Sequence, residues 1–135
     1  VGDATQVCVS SIFMATKMGM DFVQYGPEGF QIKEEALEIG KENAKKSGGS
    51  VQITEDVNVA LKDADFVYTD VWYGLYEAEL SEEERMNIFY PTYQVNNELM
   101  KKASPHAKFL HCLPATRGED VTDEVLDGEQ SIVLD

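Results

Sequence analysis

Lys108-Phe109-Leu110-His111-Cys112-Leu113-Pro114 is the stretch on which the reading of the fold turns. Its first six residues read as a buried strand, and Pro114, with no N–H to give to a ladder, ends it. The same pattern recurs upstream. Phe66-Val67-Tyr68-Thr69-Asp70 is a buried-type strand, Val51-Gln52-Ile53 a minimal one, and Met20-Asp21-Phe22-Val23-Gln24-Tyr25 a short one that Gly26-Pro27 breaks. Val1-Gly2-Asp3 reads as the end of a further strand, and Ser131-Ile132-Val133-Leu134 as the start of another.

Helices fall between these runs. Val7 to Met18 carries Ile12, Phe13 and Met14 on an apolar side and is stopped by Gly19. Lys33 to Lys46 is amphipathic, with Ala36, Leu37, Ile39 and Ala44 set among Glu and Lys, and Gly48-Gly49 closes it. Asp56 can cap the turn holding Val59, Ala60 and Leu61. Ser81 with Glu84 fits a capping box for a helix through Met86, Ile88 and Phe89, which Pro91 ends. A shorter helix is expected over Asn96 to Ala103. Strands and helices alternating at such short intervals predict an α/β fold, a Rossmann-like parallel sheet with helices on both faces.

At 135 residues the chain is one domain in size. Hydrophobic residues at 43% and charged residues at 27% give a globular balance, and no apolar run approaches the ~20 residues that span a bilayer. The opening residues lack a basic segment followed by an apolar one, so a cytoplasmic protein is expected. Eleven Lys and Arg against 25 Asp and Glu leave a net charge of −14, which repels phosphate backbones and disfavours nucleic acid as a partner. That field would concentrate a small cation such as an amine, although acidity also serves solubility. Cys8 and Cys112 lie far apart without CxxC or Cys/His metal spacing, so neither a disulfide framework nor a zinc site is indicated; no cofactor is expected.

Ligands of parallel sheets sit beyond the carboxyl ends of the strands. Three segments end there in this reading: Gly2 to Gln6, Asp70 to Glu77, and His111 to Arg117. The first follows a strand and opens a helix, so its N–H groups could bind an anion, but it lacks the GxGxxG of a dinucleotide loop. Asp70 stands where a strand leaves the core and could pair with an ammonium group or organise its own loop. Trp72, Tyr73 and Tyr76 beside Gly74 could wall a pocket or plug the domain surface. In His111-Cys112-Leu113-Pro114, neighbouring strand residues face opposite sides, which argues against a Cys/His nucleophile pair. The alternatives are a strand end that presents the Leu113 carbonyl and the Cys112 thiol to an amine, or a core cysteine beside a satisfied histidine.

VGDATQV, DFVYTDVW and FLHCLPATRGEDVTDEV, in that order, resemble the second domain of ornithine-type transcarbamylases across nearly the whole chain. The resemblance implies transfer of a carbamoyl group from carbamoyl phosphate to an amine, no metal, and a homotrimer with sites between domains. Residues 1–135 are then expected to be the amine-substrate-binding domain of a two-domain enzyme, truncated at both ends and inactive alone. The family's S-T-R-T-R phosphate segment belongs to the missing first domain. By the same resemblance His111, Cys112 and Leu113 are the expected catalytic residues. Gln6, Asp70, Tyr73, Gly74, Leu75, Tyr76, Pro114 and Arg117 are the expected substrate-binding ones.

Two departures bear on the substrate. Ornithine enzymes usually carry D-x-W-x-S-M-G, where this chain has Asp70-Val71-Trp72-Tyr73-Gly74-Leu75-Tyr76, and paired asparagines where it has Thr5 and Gln6. Both changes fall where the amino-acid head of ornithine is read. YGLYEAELSEEER is similar to the loop of putrescine carbamoyltransferases, which implies a diamine. An ornithine enzyme with a divergent loop is the alternative, and a noncatalytic Rossmann-like binding module another.

Overall fold

The computed structural model describes residues 1–73 and 79–134. Helix α1 (Gln6–Lys17) leads into β1 (Asp21–Tyr25), and α2 (Glu34–Ser47) into β2 (Ser50–Thr54). Then come α3 (Val57–Leu61), β3 (Phe66–Thr69), α4 (Glu82–Phe89), α5 (Asn97–Met100), β4 (Lys108–His111) and α6 (Asp123–Leu126). β1 pairs parallel with β2 from Asp21↔Ser50 to Tyr25↔Thr54, and β3 with β4 from Phe66↔Lys108 to Thr69↔His111.

Residues 1–2 join the two ladders. Gly2 N donates to the Tyr25 carbonyl at 2.8 Å, the Val1 nitrogen to the Tyr68 carbonyl at 2.7 Å, and Thr69 Oγ1 to the Val1 carbonyl at 3.1 Å. On the far side of β4, Phe109 N donates to Gln130 O at 2.8 Å and Ile132 N to Phe109 O at 3.0 Å. The lateral order is therefore β2, β1, residues 1–2, β3, β4, residues 130–132. The ligand crevice of such a sheet lies where the chain order reverses, beside residues 1–2 and β3. The expected strands at both ends are present only as these short bridges.

Helix boundaries follow their caps. Thr5 accepts from Cys8 N at the start of α1, Asp56 from Asn58 N and Val59 N at α3, and Ser81 and Glu84 form the expected capping box at α4. Gly48, at φ +91°, ends α2 in the left-handed region. α1 buries Ile12, Ala15 and Thr16, whereas Met14 is 56% exposed. Three consecutive residues cannot share a face at 100° per residue, so the expected Ile12-Phe13-Met14 side is not the one that packs. Ile12 lies instead against Gly40 of α2, where an added Cβ would come within 2.7 Å of its Cδ1.

β3 is buried on one face only: Val67 and Thr69 are inside, while Phe66 is 52% exposed. β4 ends one residue before Cys112, because Leu113 takes φ +60° and turns the chain out of the ladder. The core runs through Val67, Trp72, Phe89, Val95, Phe109 and Val121.

Candidate active site

The parallel register that ends on Thr69↔His111 delivers Asp70 and Cys112 side by side at the carboxyl ends of β3 and β4. Cys112 Sγ donates to Asp70 Oδ1 at 2.7 Å, and Val71 N donates to the same oxygen at 2.8 Å. Among the described residues, Asp70 Oδ2 is left for another donor. Burial, followed by the Asp70 carboxylate that takes its hydrogen bond, pushes the Cys112 thiol up to about 12. At neutral pH it is a protonated donor and a poor nucleophile.

His111 sits behind this pair. Its Nδ1 accepts the Leu113 N–H at 2.8 Å, and its Nε2 meets Asp120 Oδ2 at 2.6 Å, with both side chains fully buried. A ring nitrogen that accepts an amide N–H carries no proton, so the imidazole is the neutral tautomer with Nε2–H donating to Asp120. Asp120 Oδ1 takes Thr116 N at 2.8 Å. One imidazole–carboxylate pair thus shapes the whole turn from His111 to Thr116. His111 does not reach Cys112, as expected of strand neighbours, and both its nitrogens are engaged. It positions the turn, whereas the Leu113 carbonyl accepts no hydrogen bond among the described residues, and Leu113 and Pro114 are exposed.

The other expected residues scatter. Tyr73 is half-buried, and burial together with the adjacent Glu119 carboxylate raises its phenol, so the second loop touches the third. Gly74, Leu75 and Tyr76 lie outside the described residues. Gln6 is exposed on the first turn of α1, lining an open hollow of about 480 Å³ with Val7, Ser10, Ser11 and Met14. Arg117 points to the surface and donates to Asp123 at 2.7 Å and to Asp127 at 2.6 and 2.9 Å. The first loop offers fewer free N–H groups than expected, because Gly2 N is bound by Tyr25 and Ala4 N by the Phe30 carbonyl. Trp72 is only 1% exposed and stacks on Phe89, so it plugs the core rather than lining a pocket.

Sequence reasoning missed Arg85, which is 5% exposed. Its Nη2 donates to Asp3 Oδ2 and its Nε to the Trp72 carbonyl, and the guanidinium lies 5.5 Å from the Phe30 ring centre and 5.6 Å from that of Phe89. The available signal was spacing: Arg85 and Phe89 are four apart on α4 and share the face that the core covers. Asp120 was likewise passed over in a run of acidic residues. Among the described residues no cluster of His, Cys, Asp and Glu could hold a metal, and no helix is long and apolar enough to cross a membrane.

The family model for the Asp/Orn binding domain of aspartate/ornithine carbamoyltransferase matches residues 1–135. Over the full chain it is 48% identical to a putrescine carbamoyltransferase of Mycoplasma capricolum and 46% identical to an anabolic ornithine carbamoyltransferase of Pyrococcus furiosus. The solved ornithine carbamoyltransferase of Pyrococcus furiosus superposes on 98% of the chain with a TM-score of 0.88 at 47% identity. The chain spans 37% of the Mycoplasma protein and 42% of the Pyrococcus one. With the Asp70–Cys112 pair at the carboxyl edge of a parallel sheet and a match along its whole length, the chain belongs to the aspartate/ornithine carbamoyltransferase family, as its Asp/Orn-binding domain.

Proposed function

We propose that residues 1–135 form the amine-binding domain of a two-domain carbamoyltransferase that carbamoylates putrescine. The hydrogen-bonded pair of Asp70 and Cys112 beside the open Leu113 carbonyl carries this reading. The single S–H is spent on Asp70 Oδ1, so the pair offers an amine's N–H groups the carboxylate as one acceptor, and the Leu113 carbonyl gives a second. In the reaction the neutral amine nitrogen attacks the carbamoyl carbon, the carbon–oxygen bond to phosphate breaks, and the amine's surplus proton leaves with phosphate. Cys112 takes no covalent part. Asp70 and Leu113 hold the nitrogen lone pair toward the carbon, which is catalysis by orientation.

The diamine is favoured over ornithine by the sequence Tyr73-Gly74-Leu75-Tyr76 and by the net charge of −14. An apolar loop accommodates a methylene chain, and an acidic surface attracts a dication more than a zwitterion. Ornithine is the second reading, supported by 46% identity to an ornithine enzyme. The same family resemblance is the ground for a cytoplasmic homotrimer whose first domain binds carbamoyl phosphate and carries the phosphate clamps. The 135 residues alone are accordingly inactive.

The test is amine-dependent phosphate release from carbamoyl phosphate by the full-length protein. Release that depends on added putrescine and is depressed in Asp70→Asn supports the proposal. Release unaffected by the substitution, or absent with every amine, contradicts it.

A further inference from the structure

Arg85 ties together two loops that the chain's order keeps apart. Asp3 belongs to the loop leaving residues 1–2, Trp72 to the loop leaving β3, and Arg85 lies one turn into α4, 13 residues after Trp72. Its side chain is 6% exposed and that of Asp3 16%, so the ion pair is withdrawn from water. The Nε and Nη2 donors lie in the rigid plane of one guanidinium, so Asp3 and the Trp72 carbonyl are held at a fixed mutual distance. The rings of Phe30 and Phe89 flank that group. Phe30 extends the framework, because its carbonyl takes Ala4 N at 2.8 Å and Gln24 Nε2 at 3.0 Å.

The Trp72 carbonyl is two residues from Asp70, and between them Val71 N holds the Asp70 carboxylate. A displacement of Trp72 therefore moves the acceptor that the amine is to meet. We propose that Arg85 is a positioning residue for the amine site, locking the first loop and the Asp70–Tyr73 segment into one frame through Asp3 and the Trp72 carbonyl. The inference rests on the amine-transfer reading above and adds a residue that touches neither substrate. Lysine could supply the charge but not the planar pair of donors.

The experiment is steady-state kinetics on the full-length enzyme with Arg85→Lys, Arg85→Met and Asp3→Asn, each with putrescine and carbamoyl phosphate varied in turn. Asp3→Asn keeps the side chain's shape and serves where Arg85→Met does not fold. Loosening the frame is expected to raise the KM for the amine by roughly tenfold or more, the scale on which small misplacements act. The KM for carbamoyl phosphate should stay unchanged. Arg85→Lys should recover only part of the loss. A merely structural role predicts a lower melting temperature and a smaller active fraction with the amine KM unmoved, and that result overturns the proposal. So do equal rises in both KM values, or full recovery by lysine. If the unsubstituted enzyme carbamoylates no amine, the functional reading fails instead; an active parent with an unmoved amine KM sinks this inference alone.

Discussion

Cys112 and Asp70, 42 residues apart in sequence, meet through a thiol–carboxylate hydrogen bond of 2.7 Å across two parallel strand ends. The bond gives the thiol a measurable signature. Its pKa is pushed up to about 12 by burial and by the carboxylate, so thiolate absorbance should show no Cys112 titration at neutral or mildly alkaline pH. Asp70→Asn removes the charge and leaves the burial, so the titration should move down without reaching the ordinary value of 9.0. For stability the sign is that of a raised folded-state pKa. The thiol's contribution is fully present below about pH 9 and is lost as the pH climbs through about 12. A wild-type thiolate signal near pH 8 would refute this account of the pair.

The buried His111–Asp120 pair predicts a stability effect. Asp120→Ala removes the acceptor for His111 Nε2 and for Thr116 N in a site where both side chains are fully buried. The cost should be about 2–5 kcal/mol, because two N–H donors lose their acceptor at about 1–3 kcal/mol each. Urea unfolding of the full-length protein measures it, and a cost below about 1 kcal/mol would remove the pair from its structural role.

Gly40 offers the opposite of the usual helix rule. Replacing an interior helix glycine by alanine ordinarily stabilises by about 1 kcal/mol. Here the new Cβ would lie 2.7 Å from Ile12 Cδ1 and 2.9 Å from Cγ1, and Ile12 is fully buried. Gly40→Ala should therefore destabilise by about 1–3 kcal/mol through overpacking. Adding Ile12→Val, which removes the Cδ1 methyl, should restore part of that loss in a double-mutant cycle. Simple additivity of the two substitutions would show that α1 and α2 do not meet as described.

Much of the fold was legible because its signals are local. The cap residues Asp56 and Ser81 and the stop at Gly48 each act within a few residues, and the helix ends fall where those residues put them, whereas β4 stops at His111, short of the run that Pro114 was expected to end. Less legible was anything set by distant partners. The side of α1 that packs is decided by Gly40, 28 positions beyond Ile12, and the exposure of Phe66 by what lies over one face of β3. The terminal runs read as strands, yet each contributes only bridging hydrogen bonds. At the site, Asp70, Cys112 and Leu113 were readable as residues leaving strands, which is a property of sequence order. Arg85 and Asp120 were not, because nothing near them in the chain reveals that Asp3 and His111 are their partners.

Carbamoyl transfer to a diamine stands or falls on a comparison of kcat/KM for putrescine and for ornithine. The full-length enzyme is used, at a fixed saturating concentration of carbamoyl phosphate. A strong preference for putrescine is expected, with Tyr73 to Tyr76 as the selecting segment. A preference for ornithine would contradict it, leaving the family and the Asp70–Cys112 site in place while rejecting the diamine.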